Sequence, residues 1–222
     1  LSGRPLDLTA VASASNALVQ AWHLGSRSGT AIAEVLLGRV EPAGRLTVSF
    51  PRCVGQIPVY YAHKNTGRPA AGEGTSQFEE PFKSRYLDVE NAPLYPFGYG
   101  LGYTTFAYSD LAIAPAVADP DGAIQASVEV TNTGTRPGTE TVQLYVRDCV
   151  ASVTRPVKEL RGFERIRLAP GERRTVTFDL PVKDLAFWQP GRGWAVEPGR
   201  FQLWIGPHSA AGLEGAFEVR GA

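Results

Sequence analysis

From about residue 104 to its end, the chain is a series of short runs in which polar and apolar residues alternate, each closed by a turn signal. A period of two puts successive side chains on opposite faces of a strand, so such runs cannot be helices. Residues 124–131 alternate and stop at Asn132-Thr133-Gly134, and residues 141–146 alternate again. Residues 160–168 run into Pro170-Gly171, and residues 174–180 stop before Pro181. Residues 201–206 follow Pro198-Gly199, and residues 215–219 make a last run. Six or seven strands within roughly 115 residues predict two packed antiparallel sheets.

The chain lacks the Cys-Trp-Cys spacing of an antibody domain, which selects the fibronectin type III-like variant of the immunoglobulin-like β-sandwich for residues 104–222. The chain is therefore mainly β, with two different pieces before the sandwich. Residues 1–52 have an α/β pattern. Residues 17–22 are a short apolar run suited to a buried parallel strand. A helix is expected over residues 28–38, with Ile32, Val35 and Leu36 on one face, a side-chain oxygen of Ser28 or Thr30 at its start and Gly38 just past its end. Residues 45–50 alternate like a strand that Pro51 closes. One strand and one or two helices cannot bury both faces of a parallel sheet, so residues 1–52 read as the tail of a larger α/β domain.

Residues 53–103 show little periodicity, yet carry Tyr60, Tyr61, Phe78, Phe82, Tyr86, Tyr95, Phe97, Tyr99 and Tyr103. Disordered segments are poor in aromatics, so this is expected to be a long ordered connecting segment lying on other parts of the protein. Tyr60, Tyr61 and Phe97 are expected to be partly exposed. The glycine-rich run at residues 98–102 lies between aromatics with no helix behind it, as suits a backbone passing close to a neighbour rather than a nucleotide loop.

Lysine plus arginine equals aspartate plus glutamate, 22 against 22, and the basic residues are scattered. Nucleic acid and anionic membranes are therefore not expected partners, and no apolar run is long enough to span a bilayer. The first residues have no signal-peptide pattern. Cys53 and Cys149 could form one disulfide, although a free, small, buried cysteine is the commoner state. His23, His63 and His208 stand far apart, and no metal-ligand spacing or cofactor motif is found.

Glycoside hydrolysis needs two carboxylates about 5–10 Å apart. Glu129, Glu140 and Asp179 are expected to point outward from strands, and Glu159, Glu164 and Glu172 to form weak surface ion pairs beside arginine-rich turns. Glu79, Glu80 and Asp88 are the acidic groups in a plausibly concave setting, and no catalytic pair emerges. His63, Lys64, Asn65 and Arg68 offer donors for sugar hydroxyls or carboxylates beside Tyr60 and Tyr61, against the alternative of a surface turn. Trp194 and Trp204 could form a carbohydrate-binding face, but core packing is the expected use of both.

The N-terminal residues Leu1-Ser2-Gly3-Arg4-Pro5-Leu6, the helix pattern at 29–38, and Pro42-Ala43-Gly44-Arg45-Leu46 resemble the closing part of the α/β sandwich domain of glycoside hydrolase family 3. The segments 54–61, 63–69, Ser84-Arg85-Tyr86 and the long run 94–106 match that family in order, as do 130–134, 155–163 and Glu197-Pro198-Gly199. The likeness covers nearly the whole chain and is greatest to the bacterial periplasmic β-glucosidase branch. It implies a retaining, cofactor-free β-glucosidase acting on non-reducing ends of β-glucosides or short oligosaccharides. The family's nucleophilic Asp and acid/base Glu lie in barrel and α/β regions with no matching position here. The resemblance thus implies scaffold without catalytic residues, an inactive isolated chain, substrate contacts through further N-terminal domains, and a periplasmic or secreted location; a homodimer is one assembly compatible with it. The competing readings are a free-standing carbohydrate-binding or adhesion module and a folded partner of a separate barrel chain.

Overall fold

The computed structural model of the chain describes residues 1–70 and 81–221. Phe78, Glu79 and Glu80 therefore lie outside the described residues. The sandwich is built from a three-stranded and a five-stranded sheet. The first has β3 (Ala123–Asn132) between β1 (Phe106–Ala114) and β6 (Arg173–Pro181), all antiparallel. The second runs in the order β2, β10, β9, β4, β5, from β2 (Val117–Ala118), β4 (Gly138–Asp148), β5 (Glu159–Leu168), β9 (Gly199–His208) and β10 (Ala211–Val219). A separate hairpin pairs β7 (Phe187–Gln189) with β8 (Gly193–Ala195).

Alternation explains the core. Ile124, Ala126, Val128 and Val130 face inward from β3, opposite Val142, Leu144 and Val146 of β4 and Leu203 and Ile205 of β9. Phe201 and Phe217 stack across β9 and β10 with ring centroids 5.3 Å apart. Asn132 closes β3 as a fully buried side chain. Its amide donates to the Arg136 and Leu168 carbonyls, and its Oδ1 accepts from Thr104 and the Gly134 N–H. That network is why an Asn-Thr-Gly turn tolerates a buried amide.

The ladders are interrupted at three places, one of them in the β9–β10 pair between Ala211 and Leu213. Asp110 adopts a left-handed backbone (φ 54°) where the β1–β3 register shifts. In β5, Leu160 and Gly162 oppose Tyr145 and Leu144, leaving Arg161 as the extra residue. A bulge re-aims the side chain of its extra residue.

The N-terminal part is less regular. A helix α1 (Thr9–Ala14) precedes α2 (Ser28–Leu36). Gly38 follows α2 at φ 70°, its N–H bonded to the Val35 carbonyl while the Arg39 N–H reaches Glu34. This is the double bond of a glycine-terminated helix. The start of α2 departs from expectation: Arg27 occupies the cap and no side chain caps the helix. Ile32 and Val35 are half-buried but Leu36 is exposed.

The expected strand at residues 17–22 is not formed; no described strand lies beside it to accept its hydrogen bonds, and Trp22 takes a left-handed φ of 53°. Residues 45–50 form an isolated bridge, Phe50 with Tyr95, rather than a strand. Their hydrogen bonds pair Leu46 with Gly98 and Tyr99, and Phe50 with Leu94 and Tyr95. Between these two pairs the Phe97 N–H turns to the Ser49 hydroxyl at 3.2 Å and the Phe97 carbonyl accepts from the Ser209 N–H.

Candidate functional site

The connecting segment covers the outer face of β4. Thr141, Gln143 and Tyr145 have the parity of solvent-facing residues, yet all three are buried. Tyr61 stacks on Phe97 (4.5 Å) and meets the Tyr145 ring edge-on (5.6 Å). Gln143 donates to the carbonyls of Gly98 (3.1 Å) and Pro207 (2.6 Å) and accepts from the Tyr145 hydroxyl (2.5 Å). Gly98 sits at φ 82°, and a Cβ there would lie 2.1 Å from Gln143 Oε1. Only glycine permits this approach, as the sequence run suggested. Further along, Gln56 is buried and accepts from the Arg52 N–H while donating to the Glu90 and Ala92 carbonyls. Tyr60 is exposed, and Tyr61 and Phe97 are partly so, as expected.

Past Tyr61 the segment turns outward. The His63 carbonyl accepts from the Val157 N–H, Lys64 bridges Pro156, and the Arg68 carbonyl accepts from the Ser84 N–H. His63, Lys64, Asn65 and Arg68 are all exposed on this loop, which is fixed at both ends through its backbone. Within the described residues no hydrogen bond joins their side chains to one another; His63 Nδ1 lies 3.3 Å from the Lys64 carbonyl. The four are thus neighbours in one loop, and Lys64 lines the cavity between this loop and the start of β5.

That cavity, of about 420 Å³, opens between the loop, the start of β5 and the β7–β8 hairpin. Its floor is Glu159, held by Arg155 (2.9 Å) and Arg161 (3.2 Å), with the Arg155 guanidinium over the Phe187 ring at 4.5 Å. Its wall is Trp188 and Trp194, directly paired across the hairpin, ring centroids 6.3 Å apart and planes at 74°. Sequence reasoning passed over Trp188, although alternation within Phe187-Trp188-Gln189 turns it away from the core. Trp194 is exposed rather than packed in the core, and Trp204 is half-buried on the outer face of β9, since Leu203 and Ile205 take the inward positions. Trp204 donates to Glu214 and lies under the Lys158 ammonium at 4.2 Å.

Glu140 also departs from expectation. It shares its parity with Val142 and Leu144, so it points inward, and it is buried. Arg45 from the N-terminal part meets it at 3.0 Å and the Tyr108 hydroxyl donates to it at 3.1 Å. Burial holds the Glu140 carboxyl above the usual carboxylate range despite Arg45, and burial together with Glu140 pushes the Tyr108 hydroxyl upward. Beside it, Glu41 accepts from the Thr139 N–H at 2.7 Å. Glu129 and Asp179 do point outward, paired with Arg173 and Gln125, and Asp88 is exposed. Cys53 and Cys149 are both free and half-buried.

The chain was compared with known proteins. Residues 1–103 match the model of the glycosyl hydrolase family 3 C-terminal domain, and residues 140–209 that of the fibronectin type III-like domain. A periplasmic β-glucosidase of Salmonella typhimurium is 48% identical over 99% of this chain, and a β-xylosidase of Formosa agariphila is 42% identical over 95%. The chain spans 28% of the length of each. The crystal structure of a β-glucosidase from Listeria innocua in complex with isofagomine superposes with a TM-score of 0.91 and 38% identity, over 99% of this chain and 30% of that one.

Proposed function

The chain belongs to glycoside hydrolase family 3, and from that premise we propose that it is the C-terminal scaffold of a β-glucosidase that hydrolyses terminal non-reducing β-D-glucosyl residues. The observation that carries this reading is the 48% identity to a periplasmic β-glucosidase, maintained over 99% of the chain. In this reading residues 1–52 close the α/β domain, residues 53–103 strap that domain to the sandwich, and residues 104–222 form the sandwich. The bond between Arg45 and Glu140 supports an N-terminal part held against the sandwich, and the seat of Tyr61 on Tyr145 a strap held there. The loop carrying His63, Lys64, Asn65 and Arg68 is then the part of this chain that approaches substrate, through its exposed donors. The nucleophile and the acid/base group are supplied by domains outside the 222 residues. A periplasmic or secreted location follows from the same relative; among the described residues no helix is long and apolar enough to cross a membrane.

The test compares p-nitrophenyl β-D-glucoside with p-nitrophenyl β-D-xyloside. The full polypeptide that carries this chain is expected to favour the glucoside in kcat/KM, and the 222-residue chain alone to turn over neither. A preference for the xyloside, which the Formosa agariphila relative makes a fair alternative, would overturn the sugar assignment. Turnover by the repurified 222-residue chain would overturn its role as scaffold. Lys64→Ala and Arg68→Ala in the full polypeptide are expected to raise KM.

A further inference from the structure

We propose that the cleft between the β7–β8 hairpin and the start of β5 is a saccharide site that takes a neutral β-linked oligosaccharide. That the sugar is glucose rests on the β-glucosidase reading; that it is a saccharide does not. The first observation is the pair of indoles. Trp188 is 61% and Trp194 72% exposed, although a tryptophan that finds a place in a core buries roughly 150–250 Å². They are not loosely held. Phe187 and Gln189 on either side of Trp188 are buried, and the Gln189 amide donates to the Ala195 carbonyl across the hairpin at 3.3 Å. Gly191 and Gly193 take φ values near 79° and 78°, which closes the turn tightly. Two large rings are thus fixed outward, at a steep angle to each other, on a braced hairpin.

The second observation is the floor. Glu159 lies between two guanidiniums, and Arg161 reaches it as the extra residue of a bulge, with a further bond to the Asp184 carbonyl at 3.0 Å. The floor sets two guanidiniums against one carboxylate, and the excess positive charge at Arg155 is met by Asp148 and Glu197, which lie close enough to interact with it. A hydroxyl can donate to the Glu159 carboxylate or accept from a guanidinium with both ion pairs intact, and where the charges are met an anion gains little net attraction. Lys64 brings a further donor from the strap. Apolar ring faces beside a few fixed polar groups, in a cavity of about 420 Å³, match a small-ligand site, and the C–H face of a pyranose is the hydroxylated surface that an indole accepts.

The test is isothermal titration of the 222-residue chain with cellotetraose, laminaritetraose, xylotetraose and tetragalacturonate. Binding of at least one gluco-oligosaccharide is expected. Trp188→Ala and Trp194→Ala are each expected to weaken it about tenfold, or 1.4 kcal/mol, with an unchanged melting temperature. Trp194→Phe, which keeps an aromatic face, should restore most of the affinity, and Trp22→Phe should leave it intact. Binding of xylotetraose alone, with the same response to the Trp variants, would support the cleft and count against the glucoside reading. Binding of tetragalacturonate alone would overturn the choice of a neutral ligand. No heat up to about 10 mM sugar, or binding indifferent to both tryptophans, would overturn the site. Self-association lost in Trp194→Ala, measured by sedimentation, would also overturn it by making the cleft an interface between copies.

Discussion

Replacing Arg45 with Ala tests how firmly the N-terminal part is seated on the sandwich. The Arg45 and Glu140 side chains are only 9% and 5% exposed, and their contact is 3.0 Å. Exposed ion pairs contribute about 0–1 kcal/mol, whereas removing one partner of a buried pair costs about 3–5 kcal/mol, because a buried charge is left uncompensated. In Arg45→Ala the carboxylate keeps the Tyr108 hydroxyl as its side-chain donor. The loss is expected near the upper range, with part of it from the packing of the Arg45 stem against Gly100. The pH dependence separates these contributions. Burial already holds Glu140 above its ordinary value, and loss of Arg45 raises it further. Between the ordinary and the raised value the folded state binds a proton that the unfolded state releases, so stability falls as pH rises through that window and stays low above it. Urea unfolding followed by tryptophan fluorescence should therefore show a larger deficit at pH 8 than at pH 5, with an unchanged m-value. In the double variant with Glu140→Gln, the losses should be less than additive. A deficit below about 1 kcal/mol that is flat in pH would refute the reasoning and place the pair in solvent.

Gly98→Ala combines a left-handed backbone, about 1–2 kcal/mol, with displacement of the Gln143 amide from its buried partners, about 1–3 kcal/mol. Calorimetry should show a Tm lowered by at least about 4 °C, and an unchanged Tm would contradict the close approach. Leu203→Ala opens a cavity in the centre of the sandwich, where Leu203 is fully buried, and should cost about 2–5 kcal/mol in urea unfolding. His208 accepts the Ala210 N–H at Nδ1 and packs against Tyr99, while burial, Lys158 and Arg45 all lower its pKa. Below about pH 6.5 the unfolded state binds a proton that the folded state resists, so Tm should fall on acidification through that window. His208→Gln should flatten this part of the Tm profile.

The strands were legible because period-two alternation and burial coincide. In β3 the inward positions from Ile124 to Val130 and in β6 those from Val176 to Leu180 are all apolar, and turn residues mark both ends. The same rule, applied strictly, would have placed Glu140 and Trp204 correctly: the first shares the parity of Val142, the second opposes that of Leu203. The N-terminal part was read less well because its pattern is that of a sheet, and strands need partners. Residues 17–22 and 45–50 have the composition of strands, but the described residues supply them with no more than the bridge to Tyr95 and the bonds of Leu46 to Gly98 and Tyr99. Local sequence sets a preference for an extended backbone; pairing is decided by what lies alongside.

The site was half legible for a related reason. The donors of residues 63–69 announce themselves as a polar cluster, and Lys64 does reach the cleft, but its other components are spread over the chain. Arg161 is aimed there by a bulge, which has no sequence signature when its residue is an arginine rather than a glycine. Trp188 and Trp194 lie on a hairpin of two three-residue strands, too short for periodicity to register. Four segments meet only after the sandwich has closed and the strap has been laid across β4. The strap therefore has two consequences from one placement: it buries the outer face of β4, and it delivers Lys64 to a wall of tryptophan. If so, weakening the seat of the strap through Phe97→Ala, which stacks on Tyr61 and does not line the cleft, should lower the affinity of the cleft for oligosaccharide as well as the Tm. An affinity unchanged in that variant would show that the hairpin and the floor of β5 suffice without the strap.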